Sequence, residues 1–237
     1  MKLSIIIPVF NEEKTIRKLY ERVDEVVIPG VDKEIIIVND ASSDSTADFL
    51  EKLNPKKKVK VFTHSVNSGK GAAIHTGIRQ ATGDYILIQD ADLEYNPKDI
   101  VKLCEPIIAK KAEVVYGTRL SRLPHFKKEE RTTRFFLHYV GNRFLSLVTS
   151  ILYGAWITDM ETCYKIFPKS CLKKFKLEGG GFNFEPEITA KLLKHGYSIM
   201  EIPITTNPRD YSQGKKLRTF REGFIALWTL VKYRFSD

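Results

Sequence analysis

Three carboxylates stand at alternate positions of the segment DADLE, at Asp90, Asp92 and Glu94, directly after the apolar run YILIQ. Carboxylates two residues apart, on the turn that follows a buried strand, can face one cation. Hard oxygen ligands of this kind suit Mg²⁺ or Mn²⁺, especially when the phosphates of a substrate complete the coordination. A further carboxylate, Asp40, ends the earlier apolar run EIIIVND. The pattern therefore predicts a divalent-cation site next to a bound phosphate.

A glycine-rich segment, His64–Gly71, precedes a helical pattern and invites comparison with phosphate-binding loops. It is not a P-loop, which needs glycine at position 64 and Ser or Thr at position 71, where the chain has histidine and glycine. Two explanations of the glycines stay open: an anion at the N-terminus of the helix, or tight packing of the helix on a sheet. The chain also has no GxGxxG after its first strand and no GxSxG, which disfavours dinucleotide oxidoreductases and hydrolases with a nucleophile elbow.

The elements that must position these residues alternate regularly over the first 118 residues. Short β-branched runs predict strands, and the segments between them have helical spacing, which is typical of βαβ units and a mostly parallel sheet. We therefore predict an α/β fold of the Rossmann-like type, with a central sheet flanked by helices. The predicted strands are 3–10, 34–40, 59–64, 85–89 and 112–118, and the helices include 42–53, 69–81 and 96–110.

Four of these strands end in segments that contain polar residues, at Pro8–Glu12, Asn39–Asp40, Asp90–Glu94 and Gly117–Arg119. Ligands of parallel sheets bind at the carboxyl ends of the strands. We therefore expect the four segments to meet at one edge of the sheet and to form one site there.

The second half of the chain has a different character. Residues 144–158 carry no charged side chain, but this stretch is short for a bilayer span, which needs about 20 apolar residues. A buried helix and an interfacial helix both remain open for the region 135–157. A helix at about 185–195, a strand at about 197–204 and an amphipathic C-terminal helix are predicted to follow.

The excess of positive charge, +9 in all, is concentrated in two segments. Residues 119–143 hold seven basic and two acidic side chains, and residues 209–237 hold seven basic and three acidic ones. Such clusters favour an anionic ligand or an acidic membrane surface. A nucleic-acid partner would explain the charge but not the acidic cluster, so we expect none.

The compartment is indicated by cysteine usage and by the N-terminus. The three cysteines show no CxxC spacing, and the N-terminus lacks the pattern of a signal peptide. We therefore expect a cytoplasmic protein, and the charge-free stretch and basic clusters indicate peripheral attachment to the inner face of the cell membrane.

Several motifs together resemble the family-2 inverting glycosyltransferases with the GT-A fold. They are IIIPVFNEE, IIIVNDASSDST, NSGKGAAIHTGIRQATGDYILIQDADLEYNP and the triplet GTR. The later segments DMETCYKIFPKSCL and FNFEPEITAKLLKHGYSIMEIPI resemble the branch of this family that includes dolichol-phosphate mannosyltransferases and bacterial polyprenyl-phosphate glycosyltransferases. The resemblance implies one domain, 1–237, with a nucleotide-sugar-binding half (1–118) and an acceptor-binding half (119–237) that ends in amphipathic helices.

The resemblance also implies roles for individual residues. Asp92 and Glu94 match the metal-binding pair beside the diphosphate, although many dolichol-phosphate mannosyltransferases have Gln at the position of Glu94. Cationic positions near the phosphates are matched by Arg119, Arg209 and Lys215, while Arg131 and Arg134 are alternative matches for an arginine at the acceptor phosphate. The positions that bind the donor nucleotide are matched by Pro8, Phe10, Glu12, Val38, Asp40, Lys70, Asp90 and Ala91.

The reaction implied is displacement at C1 of a sugar, with a nucleoside diphosphate as leaving group and Asp92 and Arg119 as catalytic groups. A polyprenyl-phosphate acceptor is already anionic and needs no base, whereas a hydroxyl acceptor needs one. Asp159 and Glu161 are the candidates for that base. Two alternatives stay open: a glycosyltransferase acting on a hydroxyl of a glycan or glycolipid, and a non-catalytic nucleotide-binding scaffold at a membrane.

Overall fold

The protein is described by a computed structural model that covers residues 1–53, 59–120, 133–181, 183–207 and 219–236. Its centre is a seven-stranded sheet in the order β3-β2-β1-β4-β6-β5-β7. The strands are β1 (Lys2–Val9), β2 (Asp32–Asn39), β3 (Val59–Thr63), β4 (Tyr85–Ile88), β5 (Val114–Thr118), β6 (Lys165–Pro168) and β7 (Ile199–Pro203).

Helices connect most of these strands and cover the sheet. They are α1 (Ile16–Glu25), α2 (Thr46–Glu51), α3 (Lys70–Gln80), α4 (Asp99–Ile108), α5 (Thr133–Tyr153), α6 (Phe184–Lys194) and α7 (Thr219–Phe235). In α1 the buried residues Ile16, Leu19, Tyr20 and Val23 recur at helical spacing, so one face of the helix enters the core. The mixed α/β architecture predicted from the strand and helix alternation is confirmed.

Strand β6 was not predicted, and it is the only antiparallel member of the sheet within the described ranges. It lies between β4 and β5 and runs against both of them. Its four residues, KIFP, are too few to show a period, and they begin with a charged side chain. Lys165 is nevertheless fully buried, because its ammonium group donates to the backbone carbonyls of Met160 and Thr162.

Helix α2 is shorter than the predicted helix 42–53, because the residues before it bond elsewhere. The backbone N–H of Asn11 donates to Ser42 Oγ at 3.0 Å. In return, the N–H of Ser43 donates to Asn11 Oδ1 at 2.8 Å. These hydrogen bonds join the loop after β2 to the loop after β1. Residues 42–45 therefore belong to the loop at the carboxyl end of β2 and not to the helix.

Helix α5 is buried on one face and exposed on the other, so the interfacial alternative for 135–157 stays a prediction. Leu145 belongs to a second, smaller core that includes Leu230 of α7, and Ser146 and Thr149 are buried as well. On the outer face, Phe144 and Ile151 are exposed. No helix in the described part of the chain is long and apolar enough to cross a bilayer.

At the amino ends of the parallel strands, opposite the polar loops, Glu34 is buried in a cluster of hydrogen-bond donors. Ser4 Oγ donates to it at 2.6 Å, Thr82 N–H at 2.6 Å and the Lys60 ammonium at 3.0 Å. Burial alone would raise the pKa of Glu34, but these hydrogen bonds lower it from 4.5 to about 2. The carboxylate therefore stabilises the fold at every pH above its unfolded-state pKa.

We expect Glu34→Gln to lower the free energy of unfolding at pH 7 by about 1–2 kcal/mol, since charge-assisted hydrogen bonds are lost. Because the folded pKa is depressed, the native contribution is lost as pH falls from about 4.5 towards about 2. The wild type and the variant should therefore converge in stability over that range. Urea unfolding between pH 3 and pH 7 measures this, and a difference that stays constant with pH would contradict it.

Candidate functional site

The carboxyl ends of β1, β2, β4 and β5 lie at one edge of the sheet, because these four strands run parallel. Three of the loops that follow them contain a non-glycine residue in the left-handed region, namely Asn11 (φ 50°), Ala41 (φ 58°) and Leu93 (φ 63°). Such conformations cost about 1–3 kcal/mol each and cluster at functional sites. The edge predicted from the sequence is thus formed by backbone held in unfavourable conformations.

The turn after β4 presents the DADLE carboxylates. Asp92 Oδ1 accepts the backbone N–H of Glu94 at 3.0 Å, and Leu93 between them adopts its left-handed conformation. Two hard carboxylate groups suit Mg²⁺ or Mn²⁺. No group of three or more His, Cys, Asp or Glu side chains is placed to hold a metal within the ranges that the structure covers. Two carboxylates leave room for water and a diphosphate among the ligands of such a cation, and the metal-binding role of Asp92 and Glu94 stays a prediction.

Lys70 links this turn to α6. Its ammonium group contacts Asp90 Oδ1 at 2.8 Å and Glu185 Oε1 at 2.7 Å. Burial would lower the pKa of Lys70, but the carboxylates of Asp90 and Glu185 raise it well above its usual value. Lys70 is therefore a permanent cation that holds Asp90 in place at the end of β4.

Asp40 is buried and engaged by protein donors. Its two oxygens accept the backbone N–H groups of Ser68, at 2.9 Å, and Gly69, at 2.7 Å. Its Oδ1 also lies 2.8 Å from His64 Nδ1. In this structure Asp40 therefore fixes the glycine-rich loop, and its predicted contact with the donor nucleotide remains a prediction.

Other residues expected near the nucleotide occupy two kinds of position. Pro8 and Val38 are paired neighbours in β1 and β2 and are buried, so their side chains support the site from inside the sheet. Ala91 is also buried. Phe10 and Glu12 are half-buried in the loop after β1, at the edge itself.

Arg119 and Asp159 form a close ion pair beside this edge. Arg119 Nε and Nη2 donate to the two oxygens of Asp159, each at 2.8 Å, and the Arg119 backbone N–H also donates at 2.8 Å. Asp159 is fully buried. With three hydrogen bonds from Arg119 it orients the guanidinium, and this makes it a poor base for an incoming substrate.

Glu161 lies two residues further on and is held differently. Its Oε1 atom is enclosed without a hydrogen-bond partner among the described residues. Burial, and then the nearby Glu185 carboxylate, raise the pKa of Glu161 from 4.5 to about 7, against the opposing effects of Lys165 and Arg119. The protonation state of Glu161 therefore changes near neutral pH.

Four predicted cationic residues cannot be placed. Arg131, Arg209 and Lys215 lie outside the described residues. Arg134 belongs to α5, but its side chain is outside the description as well. Their contacts with phosphates stay predictions from the resemblance.

The glycines at the start of α3 are explained by packing. A Cβ on Gly71 would lie 2.1 Å from the carbonyl oxygen of Gly179, and one on Gly69 would lie 2.6 Å from that of Gly180. The N–H of Ala72 also donates to the Gly180 carbonyl at 3.0 Å. The chain segment 179–180 therefore covers the N-terminus of α3, so these glycines are explained by packing, but against a loop and not against the sheet as predicted.

We expect Gly71→Ala to destabilise the protein by about 1–3 kcal/mol, because the new methyl group overlaps a backbone carbonyl that cannot rotate away. Thermal unfolding measures the loss. Gly180→Ala is the matched control, since a Cβ there meets no atom within 4 Å. Equal stabilities of the two variants would contradict this account of the contact.

Two residues of the site were not predicted. Glu185 pairs with Lys70, and Glu201 accepts the backbone N–H groups of Thr158 and Asp159 at 2.8 and 2.9 Å. Glu185 stands in the first turn of α6 and Glu201 in β7. In the sequence, each is indicated only as an acidic side chain inside an otherwise apolar pattern.

Comparison with known proteins finds relatives along most of the chain. Residues 4–174 match the family model described as glycosyl transferase family 2. The chain is 32% identical, over 90% of its length and 88% of the relative, to UDP-N-acetylglucosamine--dolichyl-phosphate N-acetylglucosaminyltransferase of Methanococcus voltae. It is 30% identical, over 98% of its length and 64% of the relative, to dolichol-phosphate mannosyltransferase of Pyrococcus furiosus.

Solved structures share the fold at low sequence identity. Glucosyl-3-phosphoglycerate synthase of Mycobacterium tuberculosis, in complex with Mn²⁺, UDP and phosphoglyceric acid, superposes with a TM-score of 0.72 at 16% identity. That alignment covers 100% of this chain and 79% of the other. A complex of the same enzyme with Mg²⁺ and UDP gives a TM-score of 0.71 at 17% identity, over 100% and 80% of the two chains. The GT-A fold expected from the resemblance is confirmed.

Proposed function

Because the chain belongs to glycosyltransferase family 2, we propose that it moves a sugar from a nucleoside-diphosphate donor to a polyprenyl or dolichyl phosphate. The observation that carries this proposal is the turn after β4, where Asp92 and Glu94 stand at the ligand edge beside the Asp90–Lys70–Glu185 bridge. The two relatives at 30–32% identity act, by their names, on dolichyl or dolichol phosphate.

The chemistry requires charge to be stabilised on the leaving group. An oxygen of the acceptor phosphate attacks C1 of the sugar, the bond from C1 to the diphosphate oxygen breaks, and the nucleoside diphosphate departs. A divalent cation held by Asp92 and Glu94 would supply positive charge next to that diphosphate. Structural neighbours crystallised with Mn²⁺ or Mg²⁺ and UDP support the use of such a cation.

The protein's own cations have fixed positions in this scheme. Lys70 keeps Asp90 at the nucleotide side of the site, and Asp159 keeps the Arg119 guanidinium at the end of β5. The guanidinium carbon also lies 5.8 Å from the centre of the Tyr95 ring, which restricts it further. A cation that is oriented before the reaction stabilises developing negative charge without a cost of reorganisation.

The phosphate acceptor is favoured over a hydroxyl acceptor by the state of Asp159. A hydroxyl nucleophile needs a base, and Asp159 is committed to Arg119. An acceptor phosphate carries its negative charge already. The hydroxyl alternative therefore depends on Glu161 alone.

The donor is identified by a binding screen. We expect one nucleoside-diphosphate sugar out of a panel that includes GDP-mannose, UDP-glucose and UDP-N-acetylglucosamine to raise the melting temperature, and to do so more with Mn²⁺ than with EDTA. No protection by any member of the panel, with or without the cation, would count against the proposal.

A second part of the proposal concerns the membrane. Helices α5 and α7 pack side by side, and the Tyr153 hydroxyl donates to the Leu230 carbonyl at 2.7 Å. Their outer faces expose large apolar side chains at helical spacing, which are Phe136, Val140, Phe144, Leu147 and Ile151 on α5 and Phe224, Trp228 and Phe235 on α7. Trp156, just after α5, is 74% exposed. We call this surface the α5–α7 face.

Basic side chains on the same helices favour an anionic partner for the α5–α7 face. Arg143, Arg221, Lys232 and Arg234 are exposed on the same two helices. Basic side chains contribute up to about 1 kcal/mol each near an anionic bilayer, and apolar side chains add a part that salt does not screen. The face therefore suits peripheral attachment to an anionic membrane, where a polyprenyl-phosphate acceptor would reside.

The tryptophans report this attachment directly, since the chain has only two and both lie on the α5–α7 face. We expect their fluorescence to shift to shorter wavelength on mixing with anionic phosphatidylglycerol vesicles at low salt. Binding should weaken with added salt but not vanish. Ile151→Asp should reduce binding at least about tenfold, because a charge replaces a side chain that enters the lipid.

Val27→Asp is the matched control for this experiment. Val27 is 81% exposed but lies after α1, away from the α5–α7 face, and its replacement should leave vesicle binding unchanged. Absence of any binding to anionic vesicles at low salt would refute the membrane part of the proposal and would favour an acceptor in solution.

A further inference from the structure

Transfer to a phosphate acceptor gives Glu161 no task as a base, yet its surroundings indicate a ligand. The Oε1 atom of Glu161 and the Oγ1 atom of its neighbour Thr162 are both enclosed without a hydrogen-bond partner in the described part of the chain. Thr162 is fully buried. An unsatisfied buried polar group costs about 1–3 kcal/mol, so such groups are expected to have a partner when the protein works.

The loop that carries Glu161 is held rigidly in this unsatisfied state. The Lys165 ammonium donates to the backbone carbonyls of Met160 and Thr162, which flank Glu161 on both sides. On one side of the loop Asp159 is bound to Arg119, and Glu201 accepts the backbone N–H of Asp159. The carboxyl group of Glu161 is therefore presented by a fixed backbone.

The groups around Glu161 relate it to the donor. Glu185 on α6, Lys165 on β6 and Arg119 after β5 interact electrostatically with it, as does Asp159 of its own loop. Through Glu185 the site continues to Lys70 and then to Asp90 at the end of β4, where the nucleotide is expected. Glu161 thus interacts with Arg119 and, through Glu185 and Lys70, is linked to the end of β4.

We propose that the carboxyl group of Glu161 binds a hydroxyl group of the sugar that is transferred and so contributes to the choice of donor. The inference rests on the proposed function. Next to the carboxyl group itself a sugar hydroxyl is a better partner than a phosphate, because it can donate to a carboxylate or accept from a carboxylic acid. Glu161 is only half-buried although its Oε1 atom is enclosed, so a sugar hydroxyl would meet the carboxyl group from its open side.

Calorimetry with pairs of ligands tests this inference. The probes are GDP with GDP-mannose, UDP with UDP-glucose, and UDP with UDP-N-acetylglucosamine, each with Mn²⁺. For the pair whose sugar the wild type recognises, we expect Glu161→Ala to lower the affinity for the nucleoside-diphosphate sugar at least about tenfold, as expected for one lost hydrogen bond to a charged group. Affinity for the nucleoside diphosphate alone should change less than twofold.

Glu161→Gln serves as the isosteric variant that keeps the fold. In the wild type the affinity gained from the sugar should rise with pH through about 7, as the carboxylate forms and accepts a stronger hydrogen bond. In Glu161→Gln that affinity should not vary between pH 6 and pH 8.

Three results would overturn the inference in distinguishable ways. Equal loss of affinity for the diphosphate and the diphosphate sugar would show that Glu161 is only structural. Unchanged affinity for both in the two variants would show that it does not touch the sugar. Failure of the wild type to bind any of the sugar donors would overturn the proposed function together with the inference.

Discussion

Asp92→Ala lowers the rate of sugar transfer by about 10³-fold or more and leaves the protein folded, if the turn after β4 holds the cation beside the leaving diphosphate. The carboxylate of Asp92 accepts the N–H of Glu94 and is half-buried in the turn after β4. Loss of one hydrogen bond of this kind costs about 1 kcal/mol, so we expect the variant to fold. What it removes is the fixed oxygen ligand on which stabilisation of the leaving group depends.

Steady-state transfer rates over a range of Mn²⁺ concentrations measure this effect. Asp92→Ala should bind the nucleoside diphosphate without the metal-dependent increase that the wild type shows. Glu113→Ala, which removes an exposed carboxylate before β5, is the control and should transfer at the wild-type rate. A near-normal transfer rate of the folded Asp92→Ala variant would contradict the role of this turn in holding the cation.

Arg119→Leu has the second large effect, because it leaves Asp159 as a buried carboxylate without its cation. Breaking a buried ion pair by removing one partner costs about 3–5 kcal/mol. We expect this loss in urea unfolding at pH 7, together with a loss of transfer of at least about 100-fold from the missing positive charge.

The double variant Arg119→Leu/Asp159→Leu separates the two effects. Replacing both partners by apolar side chains removes the uncompensated charge, so stability should recover most of the loss. Transfer should not recover, because the cation is still missing. If stability and transfer return together in the double variant, Arg119 acts only through the fold.

The edge of the sheet could be predicted from the sequence because it depends on patterns that are local. Apolar runs that end in Asn39-Asp40 or in DADLE mark the carboxyl ends of strands, and parallel strands bring those ends together. The resemblance of the motifs added the family. Both arguments need only short stretches of chain.

Partners of buried charges could not be predicted, because they join residues that are distant in the chain. Lys70 meets Glu185, and Arg119 meets Asp159. The sequence shows the residue types but not which carboxylate each cation meets. Asp159 and Glu161 were therefore equivalent base candidates in the sequence, although one is paired and the other has an unsatisfied oxygen.

Strand β6 escaped prediction for a related reason. It is short and begins with Lys165. The fold tolerates the buried ammonium group because two backbone carbonyls of the preceding loop accept hydrogen bonds from it. A charged residue in a fully buried strand contradicts the usual pattern. Only the folded loop 159–162 explains it.

The measurement that tests the central claim most directly compares two acceptors that differ by one phosphate. Labelled nucleoside-diphosphate sugar is incubated with the protein, Mn²⁺ and either polyprenyl phosphate or the corresponding polyprenol, and the label that partitions into organic solvent is counted. The account predicts a labelled lipid with polyprenyl phosphate and none with polyprenol. Transfer to polyprenol, or to a soluble sugar hydroxyl in place of polyprenyl phosphate, would contradict it.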